Sequence, residues 1–414
     1  MSSITVTSAV SRSKDHGSKL QFTLLWTALF LLSLYDFYFP QIGIAVAPLV
    51  GVVLLFALLF AFPIRSSLAD NRRRNRQLLI AILMVVLFFL SAGWGFVAFR
   101  SIYVKGPIAF SLGVITLVSF LLRDQNPDFT RTLYRAVSLL LAVHLGFWVI
   151  QFGWFLITGN FIDYIQPITH VETRNMYGNE SITLFRFTGL FAEPAIYSTF
   201  MYMGITIRLL HNRFKLRWLD LALLLSMVLS LSIFGILLAG AVLTIYLFGA
   251  PSRWKSWVLV LLLAGPALGF VLVIDTPISE YVRQRMFQPT QDASGKARLF
   301  TGIESFLDAP AAVQVFGKGL GNYDSISGSA IGFAYLLETL GALGSLLVIG
   351  LFTALASPQK PRFQVLLIML VTLLGAPLFT NIYWWVWAGS LLIFGSCTVR
   401  ASTQKSEASV EIKS

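Results

Sequence analysis

The sequence keeps returning to apolar runs of membrane-crossing length, and that recurrence limits the fold more than any other feature. Crossing the hydrocarbon of a bilayer as a helix takes roughly 20 apolar residues, because in lipid every backbone N–H and C=O must be bonded within the segment. Twelve candidate spans can be read, at about 20–38, 42–63, 77–99, 104–122, 136–157, 187–207, 218–233, 235–250, 257–274, 329–354, 364–380 and 382–398. Of the 414 residues, 56% are hydrophobic and only 12% charged, with a mean hydropathy of +0.76, whereas soluble domains carry roughly 25% charge. The fold class is therefore an all-α polytopic membrane protein.

Residues 218–250 read either as two short spans or as one long tilted helix, and loop charge arbitrates, because a single helix would move every later loop to the other side. With the N-terminus cytoplasmic, 22 Lys and Arg fall in the inside connections and nine in the outside ones, as the positive-inside rule requires. The expectation is about twelve spans with both termini cytoplasmic. Residues 1–19 form a disordered tail, 20–399 a single polytopic domain with outside loops at 158–185 and 275–328, and 400–414 a second tail. The formal charge of +12 is then a topology signal spread over short loops, unlike the single basic face of a nucleic-acid binder. The N-terminal tail has no apolar core and no cleavage signal, so it is expected to be retained. Cys397, the sole cysteine, excludes a disulfide framework. There is no DxD pair, no HExxH and no Cys/His cluster, so neither a metal nor a cofactor is expected.

The two long outside loops, with Arg186 at the edge of the first, account for Arg174, Arg186, Arg283, Arg285, Lys296, Arg298 and Lys318, seven of the nine outside cations. This points to an anionic ligand, and arginine offers a planar fork that stays charged. Within the second loop, "DTPISEYVRQRM" and "ARLFTGIESFLDAP" read as helices, the latter ended by Pro310. "GKGLGN" at 317–322 reads either as a turn that exposes backbone amides to a phosphate or as an ordinary tight turn.

A carboxylate inside a span costs roughly 2.5–3.5 kcal/mol, so Glu193 needs a partner, a proton or a wet cavity. Arg186 precedes it by seven residues, two turns on one face if the helix is continuous, with Tyr197 one turn further. Gly189 and Pro194 argue instead for an unwound segment, tolerated at membrane depth only where it is buried or lines a cavity. The stretch "RFTGLFAEPAIYS" thus reads as the wall of an outward-facing site, or as a helix-packing ion pair. Glu338, about ten residues into its span, reads as a site carboxylate or as a packing contact. His144 reads as a satisfied interior histidine, Asp220 as interfacial, Asp36 as meeting water and "YWWVWAG" at 383–389 as an interfacial aromatic belt.

The ordered series "RFTGLFAEPAIYS", "SGKARLF", "FGKGLGN" and "LLETLGALGSLL" resembles the bacterial O-antigen ligase and polymerase superfamily over roughly residues 185–350. Arg186, Gly189, Leu190, Phe191 and Pro194 match its Arg-x-x-Gly-Leu-Phe segment. Ser294, Gly295 and Arg298 match its Ser-Gly-x-x-Arg segment, Gly317, Gly319 and Gly321 its glycine turn, and Gly341 and Gly344 its later Gly-x-x-Gly. Two positions depart from the pattern. Ala330, with Ser327 and Ser329 beside it, stands where ligases of the family carry a histidine, and Ile233 follows Ser232 where an arginine is common.

The resemblance implies a polymerase more than a ligase. Such an enzyme joins undecaprenyl-diphosphate-linked oligosaccharide repeat units, for O-antigen, capsule or exopolysaccharide, at the outer face of the bacterial inner membrane. It implies inverting, metal-independent transfer. Arg186, Arg283, Arg285, Arg298, Lys318 and Arg174 would hold the diphosphate, Glu193 or Glu338 would act as base, and Tyr197 and Asp324 would contact the glycan. Its partners would be lipid-linked donor and acceptor, the bilayer, and chain-length regulator and export proteins. The rival expectations are a ligase that transfers to lipid A core, and a twelve-span transporter or flippase.

Overall fold

The computed structural model describes residues 19–34, 37, 46–62, 71–99, 105–123, 126–170, 173, 176–179, 182–249, 302–320, 332–356, 362–373 and 381–395. The helices are α1 (Lys19–Ser33), α2 (Val46–Ala61), α3 (Asn71–Phe99), α4 (Lys105–Leu121), α5 (Pro127–Thr158), the single turn α6 (Gln166–Thr169), α7 (Pro194–His211), α8 (Trp218–Leu229) and α9 (Ile233–Phe248). Beyond the undescribed stretch 250–301 come α10 (Gly302–Leu307), α11 (Ala311–Phe316), α12 (Gly332–Ala356), α13 (Arg362–Thr372) and α14 (Ile382–Gly395). One antiparallel hairpin, β1 (Met176–Asn179) with β2 (Ile182–Phe185), pairs Met176 with Phe185.

Each candidate span except 257–274, which lies outside the described residues, contains a helix. Among the described residues three are long and apolar enough to cross a bilayer: Asn75–Ala98, Pro127–Thr158 and Gly332–Leu355. The protein is thus a helical protein of membrane type. α5 starts well before its apolar stretch. Asn126 caps it by accepting from the amides of Asp128 (3.1 Å) and Phe129 (3.3 Å), Pro127 fills the first turn, and Gly159 in the left-handed region closes it. These are ordinary start and stop signals, and hydropathy does not register them.

The alternative of one long helix over 218–250 is excluded. Arg208 pairs with Asp220, and Ser198 Oγ lies 3.2 Å from Ser230 Oγ, so α8 runs antiparallel to α7. Leu231 turns the chain at φ 52°, and Gly235 then packs on Ser198 and Gly249 on Phe214, so α9 returns alongside α7. The three helices form a compact unit tied by hydroxyls, including Tyr197 Oη to Ser226 Oγ at 2.7 Å.

At the centre lies a knot of aromatic side chains. Trp384, Trp385 and Trp387 are almost fully buried, and two of their indole N–H groups donate to hydroxyls, Trp384 to Thr372 (3.3 Å) and Trp387 to Thr206 (3.2 Å). The expected interfacial belt is therefore an interior element; a buried indole finds a hydrogen-bond partner, and here neighbouring helices supply it. Phe88, Phe110, Phe352, Met369, Trp384 and Trp385 line a cavity of about 80 Å³, which carries no charged group and lies apart from the chemistry described next.

Candidate functional site

The segment between β2 and α7 carries Arg186 and Glu193, and it is not helical. Residues 186–188 belong to no helix or strand, Gly189 turns at φ 57°, Phe191 N–H donates back to Thr188 O (3.2 Å), and α7 begins only at Pro194 with Glu193 as its N-cap. Arg186 and Glu193 therefore do not share a helix face, and the unwound reading is the one observed. The cause is local: Gly189 takes a left-handed conformation that other residues rarely adopt, and Pro194 belongs in a first turn.

The loop is held by its apolar residues. Phe187 packs edge-on against Phe152 (5.0 Å between centroids) and Phe191 stacks on His144 (5.0 Å). Phe187, Leu190 and Phe191 are buried, whereas Arg186 and Glu193 are half-buried. The Glu193 carboxylate makes no capping bond to α7, unlike an ordinary acidic N-cap. Glu193 thus stands at the positive end of an 18-residue helix, an end that favours negative charge, and Arg186 lies on the loop that leads into it.

Beneath this loop α5 supplies two polar residues. Gln151 Oε1 accepts from the amides of Thr188 (2.9 Å) and Gly189 (3.0 Å), and its Nε2 donates to Ile162 O (2.6 Å). Ser33 Oγ donates to Phe30 O (2.6 Å), which uses its one proton, so His144 Nε2–H is the donor in the 2.8 Å bond between His144 and Ser33. His144 is interior as expected, but it is satisfied only at Nε2, since its buried Nδ1 has no hydrogen-bond partner among the described residues. Gln151 was missed, although a lone amide inside the apolar run "FWVIQFGW" was the available signal.

A second polar group forms where α12 breaks. Gly341 has φ 68° and ψ 179°, which interrupts the helix bonds of the turn before it. The freed carbonyls of Glu338 and Thr339 accept from the amides of Lys318 (2.6 Å) and Gly319 (2.9 Å), and Gly317 N–H donates to Val313 O (2.7 Å). Ser91 Oγ of α3 donates to Thr339 O (3.2 Å) and Trp94 Nε1 to Gly317 O (3.0 Å). The glycine turn is therefore a backbone lock between α3, α11 and α12. Its first three amides are already bonded, which corrects the reading of a phosphate cradle at 317–319.

Glu338 is fully buried, and neither carboxylate oxygen has a hydrogen-bond partner among the described residues. Among the described residues the Lys318 charge and the Ser305 hydroxyl lie close enough to act on it. Lys318 therefore stands next to a carboxylate.

Tyr197 is fully buried with its hydroxyl on Ser226. It packs α7 on α8, and the glycan contact expected of it does not hold. Asp220 is fully buried and ion-paired with Arg208, which also bonds Ser138, so protein groups and not water meet its charge. Arg123, counted among loop cations, is buried and donates to the carbonyls of Leu59, Phe62 and Ser119, closing the ends of α2 and α4. Arg174, Arg283, Arg285, Lys296, Arg298, Asp324, Asp36 and Cys397 lie outside the described residues. Among those residues no His, Cys, Asp and Glu cluster could hold a metal.

No family model matches the chain, and no curated protein or solved structure is similar to it. The likeness to the ligase and polymerase superfamily rests on the order of its short motifs.

Proposed function

We propose that the protein is a membrane-embedded glycosyltransferase of about twelve spans. It polymerises oligosaccharide repeat units carried on a polyprenyl diphosphate, at the outer face of a bacterial inner membrane. The observation that carries this reading is the anchored, non-helical loop 186–193, which carries Arg186 on its approach to α7 and ends on Glu193, a non-capping carboxylate at the start of that helix. Arg186 would bind the diphosphate, assisted by Arg174, Arg283, Arg285 and Arg298, and would stabilise the charge that develops as it leaves. Preorganised donors of this kind are often the largest catalytic contribution. Glu193 would take the proton from the acceptor hydroxyl as the glycosidic bond forms.

The broken helix α12, with its buried Glu338, favours a second reading as a transporter, because transport sites lie where interrupted helices expose polar groups near the midplane. One assay separates the two. Purified protein given a lipid-diphosphate oligosaccharide yields a ladder if it is a polymerase and a single addition to lipid A core if it is a ligase. No product, with uptake into proteoliposomes, identifies a transporter.

A further inference from the structure

Three residues of α5 at helical spacing, His144, Trp148 and Gln151, face the segment that carries Arg186 and Glu193. Two of them act through packing: His144 stacks on Phe191, and Trp148 lies against Phe187 (6.2 Å) and beneath Gly189. Gln151 differs because it is wholly buried and bonds backbone on both sides. Its oxygen serves two consecutive amides of the loop and its nitrogen serves Ile162, on the connection leaving α5. The opposite amide orientation would set an NH₂ against two N–H donors and an oxygen against a carbonyl, so the network fixes the assignment.

We propose that Gln151 is the positioning residue of the site: it fixes the backbone at Thr188–Gly189 and so sets where Arg186 and Glu193 stand. Both amides are buried under Phe187, Leu190 and Phe191, where water does not replace a lost acceptor, and an orphaned buried donor is costly. Gly189, directly after Thr188, takes the left-handed conformation, which is where the loop's path between β2 and α7 is decided. A misplacement of about 1 Å in such a group can cost a hundredfold in rate. What the loop does rests on the glycosyl-transfer reading; how it is held does not.

Two substitutions of nearly equal size test this. Gln151→Met keeps the volume and removes the acceptor, while Gln151→Glu, held by burial as the neutral acid, keeps a carbonyl oxygen for the two amides and an O–H that donates to Ile162 O. If Gln151 served packing alone, Met in an apolar helix would be the milder change; the positioning role requires the reverse. Amide exchange across 185–193, followed by mass spectrometry on the full chain in detergent, should rise about tenfold or more at Thr188 and Gly189 in Gln151→Met and stay near wild type in Gln151→Glu. Ladder synthesis should fall about a hundredfold in Gln151→Met and be largely retained in Gln151→Glu. Unchanged exchange in Gln151→Met overturns the clamp, and raised exchange with undiminished synthesis overturns its role in the site. If Gln151→Met does not insert, Gln151→Asn, one methylene too short to reach both amides, must show the same pair of effects or the proposal fails. Should the wild-type protein make no product, the polymerase reading falls while the exchange measurement still decides the clamp.

Discussion

The Arg208 guanidinium, in the last turn of α7, is ion-paired with Asp220 in the first turn of α8, and both side chains are almost entirely shielded. The pair closes the α7–α8 corner: Asp220 also accepts from the Arg217 amide (2.8 Å), and Arg208 lies over the Tyr134 ring (5.6 Å). Breaking one half of a buried pair strands the other charge, which costs about 3–5 kcal/mol, while replacing both with apolar residues can be neutral. Asp220→Ala should therefore lower the unfolding temperature in detergent sharply, and Arg208→Met with Asp220→Leu should recover most of the loss. Equal damage from the single and double variants would show that the residues do not act as a pair.

The lock at Gly317 and Gly341 gives a second prediction. A Cβ on Gly317 would stand 2.4 Å from Thr339 C and O, and one on Gly341 2.2 Å from Val315 O. Gly341 also occupies a backbone region that is essentially glycine-only, worth about 1–3 kcal/mol of strain for other residues. Either alanine variant should reduce the yield of monodisperse protein. Gly350→Ala, further along α12 with open space around it, should be neutral or stabilise by about 0.5–1 kcal/mol. Gly341→Ala behaving like Gly350→Ala would mean that the break is dispensable.

How far the sequence discloses this structure depends on the kind of interaction. Apolar runs locate helices, because burial in lipid or protein is a matter of composition along the chain, and Asn126, Gly159 and Pro194 mark ends for local steric and hydrogen-bonding reasons. Pairings between distant positions leave no such trace. Nothing near Asp220 in sequence indicates that Arg208 folds back onto it, and nothing near Gly319 indicates that its amide is bonded to α12. Tyr197 and the tryptophans at 384–387 have the composition of exposed contacts and prove to be interior, since an aromatic with a polar atom suits a water interface and a helix interface with hydroxyls equally well. In the site, the unwound loop follows from Gly189 and Pro194, whereas the Gln151 clamp requires knowing that α5 lies beneath it.

His211 provides a pH-dependent prediction. It is the last residue of α7, beyond the apolar span 187–207, and stacks on Tyr134 at 3.8 Å. Although the residue as a whole is exposed, partial desolvation of its ring, with Arg217 and Arg208 nearby, lowers its pKa below the ordinary imidazole value of 6.5. Around that value the unfolded chain binds a proton that the fold refuses, so stability rises with pH there. The contribution is fully present above about pH 6.5 and is lost as pH falls toward the lowered folded value. Unfolding temperatures measured from pH 8 to pH 5 should fall further on the acid side for wild type than for His211→Gln. Parallel curves would place the acid sensitivity elsewhere.

The two carboxylates make different predictions for the reaction. Arg186→Ala removes a charge aimed at a leaving diphosphate, and loss of one such donor typically costs about a hundred- to a thousandfold in rate. Polymer should therefore disappear while the protein still inserts, and normal chain length would take Arg186 out of the mechanism. Glu193→Gln preserves size and hydrogen bonding but cannot accept a proton, so it should abolish synthesis without loss of folded protein. Glu338 sits beside Lys318 in the lock between α11 and α12, a place where a carboxylate also shapes the fold. Glu338→Gln is expected to lower the unfolding temperature less than Glu338→Ala, because the amide retains the volume and sheds a buried charge. If Glu193→Gln polymerises at the full rate and Glu338→Gln is silent but well folded, the proton acceptor is Glu338 and the reaction centre lies at the break in α12. If both glutamine variants are active, general-base catalysis by either residue is excluded.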